Sequence, residues 1–437
     1  MQPLTTATLR DTLALLAGVV APTIAKGAIL RRPRMVALAE RLDLDRRAIR
    51  RMQRLHERYG AGPLMLAIPG ARRAVILAPE HVRRVLDESP DPFATASTEK
   101  REALKHFEPR GSLISRGEER GDRRRYNEAV LQAVRPLHEL ADRFVGVVDE
   151  ERTRLHRGRG SLGWPEFSEA WFRMARRVVL GEGAGDDREL TDEIARLRAD
   201  ANWAMLHPVR RRLRARFLDH VARHMARAEP GSLAAVMSAT PASEVTAPEE
   251  QVPQWLFAFD AAGMATFRAL AILATHLEHT KRARAEAAER DPAREPLELL
   301  RATLLESVRL WPTTPMVLRQ TTRETVWDTG AMPARTGILI YAPFFHRDDR
   351  RLPFADRFAP ELWPDPSAAE DWPLIPFSRG PAFCPGRNLV LLLGSAMLGG
   401  LLRECAIRLA STHGLHPDRP LPATLNHFGL RFQLTSS

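Results

Sequence analysis

The chain has 437 residues, 44% hydrophobic and 27% charged, which is enough apolar material for one large core or two ordinary domains. Its formal net charge of +11 is almost wholly Arg, since only four of the 65 basic residues are Lys. There is no nucleic-acid reading module and no basic stripe interleaved with aromatics, so the excess reads as genome-wide composition or as a surface for an acidic protein rather than for DNA or RNA. The two cysteines, Cys384 and Cys405, exclude a disulfide framework and fit a reducing cytoplasm.

The first apolar run, Leu13 to Ala25, contains Gly18 and Pro22 and falls short of the roughly 20 residues that span a bilayer. It reads as a short helix covering the core, with neither a signal peptide's basic start nor its cleavage site. A helical pattern follows from about Asp45 to Tyr59. Pro63 to Ile68 and Ala74 to Leu77 then read as an edge hairpin turning at Pro69-Gly70. Another helix starts near Pro79, and Ser89 to Leu113 is irregular around three prolines. Gly117 opens a charged helix to about Ala133, ordinarily a solvated face. Leu137 to about Arg227 reads as successive helices, with Pro208 breaking the pattern, and Ser232 to Pro253 as a polar surface connection.

Trp255 to about His276 is apolar on all sides and so crosses the core. The stretch Ala262-Gly263-Met264-Ala265-Thr266 interrupts it, because a helical Gly costs roughly 1 kcal/mol relative to Ala and Thr266 can return its hydroxyl to the Ala262 carbonyl. By itself this is ordinary close helix packing. Glu306 and Arg309 stand at i and i+3 on a helix ending by Trp311-Pro312. Short strands follow at Pro312 to Arg319, Thr325 to Trp327 and Gly337 to Tyr341. His346 reads as a structural histidine.

Phe377-Ser378-Arg379-Gly380-Pro381-Ala382-Phe383-Cys384-Pro385-Gly386-Arg387-Asn388 places one cysteine in a Gly/Pro-bounded loop opening into an apolar helix, Leu389 to about Arg403. A thiolate there faces backbone N–H groups and the positive end of a helix dipole, which favour the charged sulfur and suit a metal bond. Gly380 would let the loop backbone approach something flat, and Gly386 would allow tight packing where the helix begins. A buried structural cysteine is the plainer reading of the loop taken alone.

The segment resembles the haem-binding loop of the cytochrome P450 superfamily, Phe-x-x-Gly-x-Arg/His-x-Cys-x-Gly, with Phe377, Gly380, Cys384 and Gly386 in place and Ala382 where a cation is usual. The resemblance implies a mainly α protein with small β-sheets. The expected form is the P450 fold as a single domain over residues 1–437, with 1–44 as an N-terminal helical segment and haem between the oxygen-binding helix and the cysteine-ligand helix. It implies haem b (iron protoporphyrin IX) with Cys384 as the proximal thiolate ligand and Phe377 against the macrocycle. Arg124, Arg319 and Arg120 would serve its propionates.

Ala262-Gly263-x-Ala265-Thr266 resembles the family's Ala/Gly-Gly-x-Asp/Glu-Thr. Gly263 would leave room for dioxygen, and Thr266 would hydrogen-bond bound oxygen and relay protons. The family acid is absent at Ala265. Asp260 is about 120° round the helix from Thr266, and Arg268 about 200°, so neither replaces it. Glu306 and Arg309 match the family's buried Glu-x-x-Arg pair, while Leu362 stands where its third member, an arginine, is expected. Phe259, Met316, Val317 and Phe428 would line the substrate pocket, Phe428 from a terminal hairpin at Leu425 to Phe432.

The implied activity is that of a soluble, bacterial-type, cytoplasmic monooxygenase working as a monomer, with no membrane and no nucleic acid as partner. It would insert one atom of dioxygen into an apolar small molecule. Electrons would pass from NAD(P)H through ferredoxin reductase and ferredoxin to the face bearing Cys384 and Arg120 to Arg125, with Arg123 and Arg125 docking the ferredoxin. A peroxide-driven peroxygenase and a non-catalytic haem-binding protein are the other readings.

Overall fold

Helices dominate the computed structural model, which describes residues 2–156, 160–364, 373–411 and 414–436. The strands described are β1 Leu64–Met65, β2 Arg73–Val75, β3 Phe93–Ala94, β4 Ser161–Gly163, β5 Met316–Thr321, β6 Thr325–Trp327, β7 Gly330–Met332, β8 Gly337–Tyr341, β9 Cys405–Leu409 and β10 Arg431–Ser436. The chain divides into two units. The first is Met1–Ala103, Val308–Cys384 and Pro422–Leu425; the second is Leu104–Ser307, Pro385–Leu421 and Asn426–Ser437.

The first unit is built on a sheet of order β1-β2-β8-β5-β3, parallel only between β2 and β8, with β6 and β7 as a separate hairpin. The hairpin read at its edge is present, with Leu64 opposite Val75. The first apolar run forms helix Leu9–Leu15, a π-helical turn Leu16–Val20 and helix Ala21–Ala25. Leu15 and Val19 are fully buried in the same core as Met52, Val82, Leu86 and Tyr341, whereas Leu9 and Leu13 are exposed. The run therefore covers the core with one face, as its length suggested.

Arg309 is fully buried at the end of helix Glu298–Leu310. Its guanidinium donates to the backbone carbonyls of His346 (3.0 Å), Ala355 (3.1 Å), Phe354 (3.3 Å) and Arg357 (2.7 Å). A buried cation needs such acceptors, and here the backbone supplies them. His346 is equally buried. Its Nδ1 lies 3.2 Å from the Arg309 carbonyl, and its Nε2 accepts from the Ile375 N–H at 3.0 Å. The Ser378 N–H then returns to the Ile375 carbonyl, and the Cys384 N–H donates to the Phe377 carbonyl at 2.9 Å. Hydrogen bonds thus lead from Arg309 into the cysteine loop, and His346 is structural, as read.

In the second unit the helices Gly117–Val130, Ala141–His156, Trp164–Leu180, Arg188–Ala201, Arg211–Arg227, Val252–Leu273 and Arg387–Glu404 pack with a sheet of order β4-β10-β9. Residues 202–210 separate two of these helices around Pro208, as expected. The stretch Pro248–Leu273 is long and apolar enough to cross a membrane, but 83% of its apolar window is buried, which marks a core helix.

Four sequence expectations need correction. Ser232 to Pro253 is not wholly irregular: Ser232 caps a helix, Leu233–Ala239, by accepting from the Ala235 N–H. The helical stretch 137–227 contains β4, which exists because β10 pairs with it. The terminal hairpin is formed by β9 and β10, and His427–Gly429 is a 3-10 turn leading into β10. Helix Val252–Leu273 runs uninterrupted through Gly263, because the packing around that glycine outweighs its small intrinsic cost.

Burial, reinforced by the Arg309 charge, pushes the His346 imidazole down to about 3. The unfolded chain titrates at about 6.5, so it binds the extra proton first, and stability present above that pH is lost as pH falls. Each pH unit below 6.5 should remove about 1.4 kcal/mol through this group. Urea unfolding from pH 7 to pH 4 should therefore show a shallower pH dependence for His346→Gln than for the native chain. Parallel curves would contradict the assignment.

Candidate functional site

The first unit holds Cys384 on a half-buried loop outside any disulfide. Gly380 opens the turn Gly380–Ala382 at φ +65°, and a Cβ there would stand 2.8 Å from the Asp87 Cα. On that side its backbone closes on the end of helix Pro79–Asp87. Arg379 fixes the same junction, its Nε 2.9 Å from the Asp87 carboxylate. Phe377 contributes the carbonyl that orients the Cys384 amide.

Arg319, on β5, is 3% exposed, and its Nε donates to the Ser89 hydroxyl at 2.9 Å. Met316 and Val317 precede it on the strand, both half-buried, opposite Tyr341 and Ile340. Arg309 belongs to this unit and Glu306, also fully buried, to the other. Leu362 removes nothing that Arg309 needs, because four carbonyls already receive its guanidinium.

In the second unit, Thr266 is fully buried and its Oγ1 donates to the Ala262 carbonyl at 2.9 Å, as its spacing suggested. Gly263 makes room for Trp171: a Cβ there would lie 2.8 Å from the indole Cδ1. The indole N–H also donates to the Phe259 carbonyl at 2.7 Å, within the turn that contains Gly263. The space expected for dioxygen at Gly263 is thus used by protein on that side. Gly394 of helix Arg387–Glu404 is needed for the same reason, since its Cβ would fall 2.9 Å from Thr266 Oγ1. Around Gly386 the outcome is opposite. No described atom lies within 4 Å of a Cβ built there, so the chain does not pack tightly against it as expected.

The open side of helix Val252–Leu273 was missed by the sequence reading. Ala258 is exposed and Ala261 half-buried, while Ala262 and Ala265 are 4% exposed. The i, i+3, i+4, i+7 spacing makes them one smooth apolar stripe, and that spacing was the available signal. Asp260 is committed elsewhere, in a buried ion pair with Arg198. Arg268 lies 3.4 Å from His427 Nδ1. Phe428 is half-buried, 4.0 Å between ring centroids from His427 and 6.0 Å from Trp164.

On helix Gly117–Val130, Arg120 is 9% exposed. Burial and the neighbouring Arg124 charge hold its guanidinium below the usual range, only partly offset by Glu128. Arg124 pairs with Glu128 at 2.6 Å. Two largely buried cations thus stand one turn apart on this helix. Arg123 is buried, donating to the Val245 carbonyl and the Ser115 hydroxyl. It is an internal brace and not the docking residue expected; Arg125, paired with Asp122, is exposed.

A family profile described as cytochrome P450 matches residues 254–427. The chain is 33% identical over 162 residues to cyclooctat-9-en-7-ol 5-monooxygenase of Streptomyces melanosporofaciens, covering 35% of this chain and 33% of that one. It is 31% identical over 113 residues to cytochrome P450 4d8 of Drosophila melanogaster, covering 25% and 24%. These matches therefore span a third or less of the relatives' lengths. The fold is similar to that of retinoic acid-bound cyanobacterial CYP120A1, with a TM-score of 0.70 and 18% identity over 88% of this chain and 94% of that one. The cysteine loop and the Ala262–Thr266 stretch thus lie in a chain whose residues 254–427 match the cytochrome P450 profile and whose fold is similar to that of a cytochrome P450.

Proposed function

We propose that this chain is a haem-thiolate monooxygenase that inserts one atom of dioxygen into an apolar small molecule and reduces the other to water. The observation that carries the reading is Cys384, held by backbone hydrogen bonds on the loop that leads into helix Arg387–Glu404. The donor chemistry fits haem b: a thiol outside any disulfide, buried Arg120 and Arg319, and open space at Gly386. Cys384 would ligate the iron, Arg319, Arg124 and Arg120 would receive the propionates, and Phe377 would lie against the ring. When bound, the haem supplies the oxygen-activating chemistry.

The chain's own contributions are orientation, dryness and proton handling. The Ala258, Ala261, Ala262 and Ala265 stripe offers an apolar substrate a surface with no polar group to satisfy, and Phe259, Met316, Val317 and Phe428 would complete the lining. Thr266 Oγ1 can exchange its bond to the Ala262 carbonyl for one to water and pass a proton on. With no acid at Ala265 and Asp260 tied to Arg198, that proton comes through water or the substrate. The peroxygenase alternative is weaker, because Arg268 is turned toward His427.

Electrons would come from NAD(P)H through ferredoxin reductase and an acidic ferredoxin, to a monomer in the cytoplasm. Around the start of helix Arg387–Glu404, Asn388 donates to the Ala133 and Arg135 carbonyls and Arg301 to that of Pro136. Arg387 and Arg135 are exposed beside Val134, itself 88% exposed. Burial and the Arg387 charge bring the Arg301 guanidinium down to about 10. Exposed positive charge beside an apolar residue is what an acidic docking partner requires.

Turnover should need NAD(P)H, ferredoxin reductase, ferredoxin and dioxygen, with cyclic alcohols and retinoic acid, the compounds named for the relatives, as the first substrates to try. Thr266→Ala should lower product formed per electron consumed on the order of 100-fold, a typical loss for a positioned proton donor. Product from peroxide alone, with Thr266→Ala unimpaired, would refute the monooxygenase reading. Charge reversal at Arg135 and Arg387 should slow reduction by ferredoxin at low salt and leave the rate nearly salt-independent. An unchanged rate would remove this docking surface.

A further inference from the structure

Asp187, His220 and His224 form a cluster that the oxygenase reading does not use. His220 and His224 are at i and i+4 on helix Arg211–Arg227, so both rings project from one face. Asp187 is the N-cap of helix Arg188–Ala201. Its Oδ1 accepts from the Leu190 N–H at 3.2 Å, which orients the carboxylate and leaves Oδ2 for other work. Both imidazole Nε2 atoms converge on that Oδ2, His220 at 2.6 Å and His224 at 2.7 Å, and the three ligand atoms lie within 4.8 Å of one another.

The proton requirements of the cluster are demanding. Facing one carboxylate oxygen, both Nε2 atoms must carry protons, and Glu193 Oε2, 3.3 Å from His220 Nδ1, asks for a third. Glu193 is fully buried and also paired with Arg216. The His224 side chain is 6% exposed and its Nδ1 is buried with no hydrogen-bond partner. A divalent cation among the three atoms would replace both Nε2 protons with one ion. His220 would then keep its Nδ1 proton for Glu193, the carboxylate-histidine-metal arrangement that fixes a ligating ring.

We propose that Asp187, His220 and His224 bind a divalent transition-metal ion, with Zn2+ the best match to a two-imidazole, one-carboxylate set, and that Glu193 orients His220 in that site. Imidazole ligands disfavour Mg2+ and Ca2+, which select oxygen. Zinc bonds of about 2.0–2.2 Å in tetrahedral geometry separate ligand atoms by about 3.3 Å, so Asp187 would withdraw by roughly 0.7 Å, within reach of a side-chain rotation. Asp187, His220 and His224 are 19%, 12% and 6% exposed, which leaves an edge for a water as fourth ligand. The ion would clip the start of one helix to the last turns of the next, and so fix the helix pair Arg188–Ala201 and Arg211–Arg227.

Chelator-treated, haem-loaded full-length protein would be equilibrated with Zn2+ by dialysis and its bound zinc measured by mass spectrometry, alongside thermal unfolding. One zinc per chain should bind and raise the unfolding midpoint. His224→Gln and Asp187→Asn, which keep a side chain able to hydrogen-bond, should lower affinity at least 100-fold and abolish the shift. Glu193→Gln should cost about 10- to 100-fold, and His416→Gln, at an exposed position, nothing. Far-UV circular dichroism would confirm that each variant folds. No zinc bound at submillimolar metal, or equal binding by the variants, would overturn the proposal and leave the cluster an ion-pair network.

Discussion

The cysteine loop depends on one neutral imidazole. His346 must receive the Ile375 N–H on Nε2 while its Nδ1 serves the Arg309 carbonyl, and only the uncharged ring can do both. The buried Arg309 beside it opposes a second positive charge. Arg309 in turn gathers the carbonyls of residues 346 to 357 around its guanidinium, so the segment before the loop is ordered from within. The Cys384 amide, bonded to Phe377, lies at the end of this sequence of contacts. The network fixes the backbone on which the proposed ligand sits, without the third arginine absent at Leu362.

Buried arginines recur in this chain in two distinct uses. Arg309, Arg123 and Arg176 each donate to backbone carbonyls and act as braces. Arg120 and Arg124 instead stand one turn apart with Glu128 close to both, and are among those proposed to receive the propionates. Arginine's fixed fork of donors suits both uses, which lysine's single ammonium would not. The scarcity of Lys therefore has structural consequences beyond composition.

Much of this was legible in the sequence where a residue type has a single strong physical meaning. The edge hairpin followed from Pro69-Gly70 between apolar runs, the break near residue 208 from Pro208, the core helices from apolar character on every face, and the Thr266 back-bond from its spacing. What failed was whatever a distant partner decides. Strand β4 exists only because β10 pairs with it, and Gly263 is glycine because Trp171 packs there, a residue with no local signal. Arg123 looked like the exposed Arg125, yet two positions on a helix turn a side chain by about 200° and bury it. The Asp187, His220 and His224 cluster joins a loop to a helix more than thirty residues away and carried no motif.

The most direct test of the account is the absorption spectrum of the purified protein, reduced under carbon monoxide, for the native chain and for Cys384→Ser. The account predicts a thiolate-type spectrum in the native chain and its loss in the variant, with circular dichroism unchanged. A native protein that holds no haem, or a thiolate-type spectrum that survives Cys384→Ser, would contradict it.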